Sequence, residues 1–267
     1  MCGIVGIHGM PNDNIIGLVE EMNRIQFHRG PDSGGSYTDR KNGVSMAMRR
    51  LEIIDAAGGL QPMQSEDGKF VLIFNGEIVN SPELRMKLEM EGESFRSDHS
   101  DTEVLMKMLC REGVNALSKL NGMFAFAIHD LVAGTVTIAR DRFGIKPLYY
   151  YEGKEYIFIS SEIKPILKFN SIIKFNNKQI FNFFLKQKMD HEDQTFFYDI
   201  KSLPPCFFGK IATNYKINLF KYWDINNKKN YHLTDKDCIH KIEKLFSKSI
   251  KKHLLSDVEI GSFLSGG

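Results

Sequence analysis

Short apolar runs bounded by turn signals constrain this chain more than any other feature, because such runs predict paired β-strands. Strands are predicted at residues 3–8, 44–50, 70–74, 124–128 and 135–141, and on both sides of the turn in RDRFGIKPLYY. The third strand runs into Asn75-Gly76, the strongest short signal for a tight hairpin turn. A second turn at Ala133-Gly134 predicts that its flanking strands are antiparallel partners.

Segments with helical periodicity separate the strands. Helices are predicted at Ile15–Ile25, at about Pro82–Glu91 and at Thr102–Arg111, and HRGPDSGG is predicted to be a polar turn. Two hairpin-rich blocks with helices between them indicate antiparallel sheets covered by helices, which is an α+β architecture.

Composition excludes several classes of protein. Hydrophobic residues make up 42% and charged residues 25% of the 267 residues, unlike a disordered or fibrous chain. The formal charge of +2 gives no broad footprint for nucleic acid. A local basic run is predicted to be a solvated helix face, and consists of Lys241, Lys244, Lys248, Lys251 and Lys252.

The four cysteines show no spacing typical of a metal site or a disulfide framework. No signal peptide and no apolar stretch of about 20 residues is recognisable. We therefore expect no metal, no membrane association, and a reducing cytoplasmic location in which the thiols stay free.

The character of the sequence changes at about Asn226, where NNKKN is predicted to be a linker. Thr234 and Asp237 form a capping-box pattern at the head of a helix, and a short strand is predicted in VEIGSFL. The final Ser265-Gly266-Gly267 is typical of the start of a phosphate-binding loop, although no helix follows it.

Cys2 is the first candidate catalytic residue. If Met1 is removed, the Cys2 thiol and a free α-amine share one carbon, and an amine with a pKa near ~8 can accept the thiol proton. The alternative is that Cys2 is a small buried apolar residue.

Other residues suit acyl transfer. The Asn75 amide and the Gly76 N–H can form an oxyanion hole, although a plain hairpin turn also explains Asn-Gly. Arg49 or Arg50 can bind a carboxylate and Asp101 an amine, with a surface ion pair and a helix N-cap as their alternatives.

Together these stretches resemble the glutamine-hydrolysing asparagine synthetases, whose first half is a class II glutamine amidotransferase. The matching motifs span nearly the whole chain: MCGIVGI, HRGPDSGG, RRLEIID with GGLQPM, FNGEI with ELR, SDTEVL, LNGMFAFAIHD, RDRFGIKPLYY, SSEIKPIL, LPP, YWD and VEIGSFLSGG. The resemblance implies an αββα N-terminal-nucleophile hydrolase sandwich of two antiparallel sheets between helical layers. It also implies the first helix and strand of an α/β synthetase domain, with a division at residues 2–224 and 225–267.

The resemblance implies a role for each matching residue. Cys2 is the nucleophile, with its amine as base, and Asn75 and Gly76 hold the oxyanion. The glutamine-binding residues are Arg50, Leu51, Ile53, Asn75, Gly76, Glu77 and Asp101. Glutamine hydrolysis needs no cofactor, whereas a whole synthetase uses ATP and Mg²⁺, and Ser265, Gly266 and Gly267 begin its ATP loop. The ammonia then converts activated aspartate to asparagine, with AMP and pyrophosphate as further products.

Two departures from the family pattern stand out. Val79 replaces the usual tyrosine after NGEI and is followed by Ser81-Pro82, which implies an altered pocket edge. The chain also ends before the Asp-Ser pair of the family's pyrophosphate loop, so the expected activity is glutamine hydrolysis alone, with residues 234–267 poorly anchored unless they fold back on the first domain. Alternative hypotheses are an amidotransferase for a sugar or peptide acceptor and a catalytically silent remnant. The implied partners are L-glutamine and either a homodimer or the missing synthetase half.

Overall fold

The computed structural model describes residues 1–10, 14–169, 174–187, 193–225 and 233–263. The strands in these ranges are β1 Gly3–Gly9, β2 Ser33–Asp39, β3 Val44–Arg50, β4 Met63–Gln64, β5 Phe70–Ile78, β6 Gly122–Asp130, β7 Thr135–Arg140, β8 Tyr149–Glu152, β9 Tyr156–Ser160, β10 Ile200–Ser202, β11 Phe207–Ile211 and β12 Ile217–Lys221. The α-helices are α1 Asn14–Ile25, α2 Ser81–Met90, α3 Asp101–Glu112, α4 Ile163–Phe169, α5 Asn177–Lys186 and α6 Asp235–His253. Short 3₁₀ turns cover Phe27–Arg29 and Gly113–Ser118.

The strands form two antiparallel sheets of six strands each. The first sheet has the order β10-β8-β9-β1-β3-β2, and the second has the order β12-β11-β7-β6-β5-β4. β1 lies in the interior of the first sheet, where it pairs with β3 and β9. The N-terminal strand is thus held on both edges, which fixes the position of the residue before it.

Three apolar layers hold the sheets and helices together. The inner faces of the two sheets pack on each other through residues such as Ile4, Met48 and Ile73. The outer face of the second sheet packs against α2 and α3, and that of the first sheet packs against α1 and α4. This αββα sandwich confirms the predicted fold class.

The hairpin turn predicted at Asn75-Gly76 is wrong. β5 continues through both residues to Ile78, with Asn75 opposite Ala125 and Gly76 opposite Phe124 in β6. A Cβ at position 76 would lie 2.3 Å from the carbonyl oxygen of Met123, so glycine is required here for close strand approach and not for turn geometry. The polar turn predicted in HRGPDSGG is likewise too long, because β2 already begins at Ser33.

The C-terminal segment matches the prediction only in part. Thr234 and Asp237 form the capping box at the start of α6, as predicted. The strand predicted in VEIGSFL is wrong for residues 258–263, which pair with no strand in the described part of the chain. The apolar stripe of α6 is exposed, including Ile242 and Phe246. The linker at 226–230 and the loop Ser265-Gly266-Gly267 lie outside the described residues.

None of the helices within the described ranges is both long enough and apolar enough to cross a lipid bilayer.

Candidate active site

Strand periodicity places three of the predicted residues at one end of the sandwich. Side chains alternate between the two faces of a strand, and Ile4, Met48 and Ile73 face the inner layer. Cys2, Arg50 and Asn75 are each two residues from one of these, so their side chains face the same layer. β1 and β3 are antiparallel with Gly3 opposite Arg49, which brings Cys2 beside the end of β3.

A cavity of about 110 Å³ opens at this end of the sandwich. All the predicted glutamine-binding and catalytic residues line it: Cys2, Arg50, Leu51, Ile53, Asn75, Gly76, Glu77 and Asp101. Six residues that the sequence analysis did not select also line it: Met1, Ile54, Gln61, Phe74, Thr102 and Lys146. A larger cavity of about 680 Å³ lies between α3 and residues 57–67, but none of the predicted residues lines that one.

Cys2 is held by contacts on its thiol and its carbonyl. Its Sγ accepts a hydrogen bond from the Leu51 N–H at 3.4 Å, and Arg29 Nε donates to its carbonyl oxygen at 2.9 Å. Burial raises the pKa of the thiol, against the lowering effects of its backbone contact with Leu51 and of the nearby positive charges. A thiol of this kind is protonated at neutral pH and needs a base before it can act as a nucleophile.

Asn75 is buried, and neither its Nδ2 nor its Oδ1 has a hydrogen-bond partner. Buried amides in folded proteins are nearly always paired, so these two atoms are able to bind a polar group that enters the cavity. The alternative that Asn75 serves only a hairpin turn is excluded by its place inside β5.

The Gly76 N–H lies on the free edge of β5. β4 pairs only with Val71 and Leu72 of β5. From Phe74 onwards the N–H groups on this edge of β5 have no partner strand among the described residues, and two of them donate to side chains. Gln61 Oε1 accepts from Phe74 at 2.6 Å, and Asp101 Oδ2 accepts from Ile78 at 3.0 Å. Because alternate N–H groups of a strand point the same way, the Gly76 N–H lies between these two and faces the cavity.

Arg50 is buried and holds the loop that follows β3. Its Nη1 donates to the Ala56 carbonyl at 2.6 Å, and its Nη2 donates to the Ile54 and Asp55 carbonyls at 3.0 and 2.8 Å. Three of the five N–H groups of a guanidinium are thus used, and Nη1 also lies 3.5 Å from Glu52 Oε1, an ion pair at the side of the guanidinium that does not bind the loop. A Cβ at Gly59 would lie 2.3 Å from Nη2, so the loop can close over Arg50 only with glycine there. A surface ion pair is excluded as the main role of Arg50.

Asp101 begins α3, but its carboxylate binds across to β5. Burial and, less strongly, the nearby Glu77 raise the pKa of Asp101 to about 6, although the Ile78 N–H and Arg50 act in the opposite direction. The N-cap position belongs to Ser100, so the N-cap alternative for Asp101 is wrong by one residue.

Lys146 reaches the cavity from a loop organised by Asp141. The buried Asp141 carboxylate accepts from the backbone N–H groups of Phe124, Phe143, Ile145 and Lys146 at 2.9–3.1 Å. The sequence signal was RDRFGIKPLYY, in which an aspartate precedes a glycine turn, but strand periodicity does not indicate that this turn reaches the site. Val79, the departure from the family pattern, is buried and does not line the cavity.

The described residues contain no group of three or more His, Cys, Asp or Glu side chains placed to hold a metal ion.

Two solved structures share the fold. Glutamine phosphoribosylpyrophosphate amidotransferase from Bacillus subtilis aligns with a TM-score of 0.61 and 19% identity, covering 83% of this chain and 49% of that one. A structure described as the allosteric regulatory enzyme of purine biosynthesis gives a TM-score of 0.61 and 20% identity, covering 85% and 50%. At these identities the likeness concerns the fold alone.

Curated relatives are more similar in sequence. Asparagine synthetase [glutamine-hydrolyzing] 1 of Bacillus subtilis is 36% identical over 271 residues, and asparagine synthetase B of Escherichia coli is 30% identical over 271 residues. A putative asparagine synthetase of Methanocaldococcus jannaschii is 31% identical over 300 residues. Each match covers all of this chain but only 42%, 43% and 55% of the respective relative.

A sequence profile described as the glutamine amidotransferase domain matches residues 1–223, which include every residue of the cavity. The chain therefore belongs to the glutamine amidotransferase domain family.

Proposed function

We propose that this chain hydrolyses L-glutamine to glutamate and ammonia through a thioester on Cys2. The observation that supports this most directly is the unpartnered Asn75 amide in the same 110 Å³ cavity as the Cys2 thiol. A buried donor without an acceptor is expensive in a resting fold, and becomes useful when a substrate oxygen arrives.

The thiol requires a base, because burial raises its pKa. In the proposed mechanism Met1 is removed and the α-amine of Cys2 accepts the thiol proton as Sγ attacks the side-chain amide carbon of glutamine. The proton then passes to the leaving nitrogen, which departs as ammonia. Water attacks the thioester, and glutamate and the free thiol are released. Anchoring of the Cys2 carbonyl by Arg29 fixes the nucleophile without engaging its nitrogen.

Asn75 Nδ2 and the Gly76 N–H are proposed to stabilise the oxyanion of both tetrahedral intermediates. Gln61 and Asp101 accept from the β5 N–H groups on either side of Gly76, which leaves the Gly76 N–H as the donor of this part of β5 that faces the cavity. Loss of one such donor in other enzymes lowers the rate by about 10²- to 10³-fold.

Recognition of the free amino acid is proposed to rest on opposite charges at the far end of the cavity. Arg50 would bind the α-carboxylate on the side that does not bind the loop, where the substrate would displace Glu52 from its ion pair with Nη1. Asp101 with Glu77 would bind the α-ammonium group. Leu51 and Ile53 would contribute backbone between them. The five residues that would contact glutamine all line the cavity, which supports this assignment.

An ammonia-release assay on glutamine tests the proposal. The Cys2→Ala variant is expected to be inactive, whereas Cys206→Ala, a thiol outside the cavity, is expected to match the wild type. Intact mass of the same samples shows whether Met1 is removed. Equal ammonia release by the wild type and Cys2→Ala would refute Cys2 as the nucleophile, and no release by either protein would favour the silent-remnant hypothesis.

We further propose that this chain is the glutaminase half of an asparagine synthetase, with residues 2–224 as the glutaminase domain and residues 225–267 as a linker and the start of the synthetase domain. The names of the relatives and their greater length support this. In such a protein ATP with Mg²⁺ would drive the transfer of the ammonia to aspartate, in the cytoplasm. Asparagine and pyrophosphate formation from glutamine, aspartate and ATP by the whole protein tests this, and amide transfer to a sugar or peptide instead would refute asparagine as the product.

A further inference from the structure

The segment after α6 folds back onto the wall of the cavity. The Asp257 N–H donates to the Ile53 carbonyl at 2.9 Å, and Asp257 Oδ2 accepts from the Asp55 N–H at 2.7 Å. His99 Nε2 lies 2.6 Å from the same Oδ2 atom. Asp257 thus forms hydrogen bonds with the backbone of both Ile53 and Asp55, although it lies 202 residues from Asp55 in the sequence.

Ile53 and Asp55 belong to the loop whose carbonyl groups accept hydrogen bonds from Arg50. Asp55 has a φ of 43°, in the left-handed region that costs about 1–3 kcal/mol for residues other than glycine. Its side chain accepts from the Gly58 and His99 N–H groups, at 2.7 and 3.1 Å. Asp257 accepts from the Asp55 N–H, so the N–H, the carbonyl and the carboxylate of Asp55 are all engaged. The Ile54 and Asp55 carbonyls both accept from the Arg50 guanidinium.

We propose that Asp257 is a positioning residue for glutamine, acting through the loop 53–56 to orient Arg50 in the cavity. This proposal rests on the proposed function, because Arg50 matters there only if it binds the substrate carboxylate. It makes glutamine affinity depend on where the segment after α6 lies, so that a displacement of that segment weakens binding without touching Cys2.

Three variants of the full chain test this proposal. Asp257→Ala removes the acceptor, whereas Asp257→Asn keeps a carbonyl oxygen that can accept from Asp55. Asp224→Ala is the matched control, because Asp224 is also exposed and ion-paired but does not contact the loop. We expect Asp257→Ala to raise KM for glutamine about 10-fold with kcat within threefold, Asp257→Asn to restore most of this loss, and Asp224→Ala to match the wild type.

Amide hydrogen exchange of peptides covering residues 53–56 gives a readout that does not depend on activity. Exchange is expected to be at least about 10-fold faster in Asp257→Ala and unchanged in Asp224→Ala. Glutamine affinity is also measured by calorimetry in the Cys2→Ala background, with and without Asp257→Ala. Unchanged exchange, or faster exchange with unchanged glutamine affinity, would overturn the proposal. Failure of Cys2 to support hydrolysis would instead overturn the proposed function and leave the affinity comparison intact.

Discussion

Replacement of Asn75 by leucine is expected to stabilise the fold while abolishing activity. Leucine keeps the branched shape of asparagine but removes two buried polar atoms that have no partner. An unsatisfied buried amide costs about 1–3 kcal/mol. A gain of this size corresponds to a rise in Tm of roughly 2–12 °C for a domain of this length. Loss of the oxyanion donor is expected to lower the rate of ammonia release by about 10²- to 10³-fold.

The chain offers a matched control at Asn80. Its Nδ2 donates to the Lys119 carbonyl at 3.0 Å, and its Oδ1 accepts from the Asn121 N–H at 2.8 Å. Asn80→Leu breaks both bonds, so we expect it to lower stability by about 1–3 kcal/mol without affecting the chemistry. Thermal unfolding and ammonia release are measured on both variants. A destabilised Asn75→Leu, or one that retains activity within threefold of the wild type, would refute the assignment of Asn75 as a donor waiting for substrate.

Three further predictions concern titration. Burial raises the pKa of Asp101 to about 6, so kcat/KM for glutamine is expected to fall about 10-fold per pH unit below that value, and the fall should be absent in Asp101→Asn. Burial and, less strongly, the nearby His129 lower the pKa of His8 from 6.5 to about 4. The free energy of unfolding is therefore expected to be fully retained above pH 6.5 and to fall by up to ~3 kcal/mol as the pH drops to 4. Denaturant unfolding across that range should show this loss in the wild type and not in His8→Leu. Hydrogen bonds to Asp257 and Asp98 raise the pKa of His99, and an NMR titration of its ring in Asp257→Asn should show the pKa falling back toward its ordinary value; an unchanged titration would contradict the contact.

Local periodicity was sufficient to predict about half of the strands, β1, β3 and β5–β8, because each of these is encoded in a few residues. It gave no signal for β2, β4 and β9–β12. The β6–β7 hairpin and the capping box at Thr234 follow from such local patterns. The same period of two places Cys2 and Arg50 on the inner face of the first sheet and Asn75 on the inner face of the second. Their convergence follows once β1 and β3 are paired and the two sheets pack on each other.

Features that depend on distant contacts could not be predicted in this way. Asn-Gly is a strong hairpin signal by itself, but the backbone of Met123 makes Gly76 a strand residue. The apolar run at 258–263 has strand composition, yet a strand forms only where a partner edge is present. Arg50 donates hydrogen bonds to the carbonyls of a loop without regular secondary structure. The sequence of such a loop has no hydrophobic periodicity from which these hydrogen bonds could be predicted.

Four backbone N–H groups donate to the Asp141 carboxylate, so the turn that leads to Lys146 is held in place by this one side chain. Phe143 and Ile145 lie within that turn but expose 67% and 56% of their surface. The Phe143 ring packs on Trp223 at 5.7 Å, whereas Ile145 can be exchanged for a polar residue to tune solubility or to carry a label, with Lys146 left in the cavity wall. The same exchange at Asp141 would release the whole turn, so tolerance to mutation should alternate sharply within six consecutive positions of the chain.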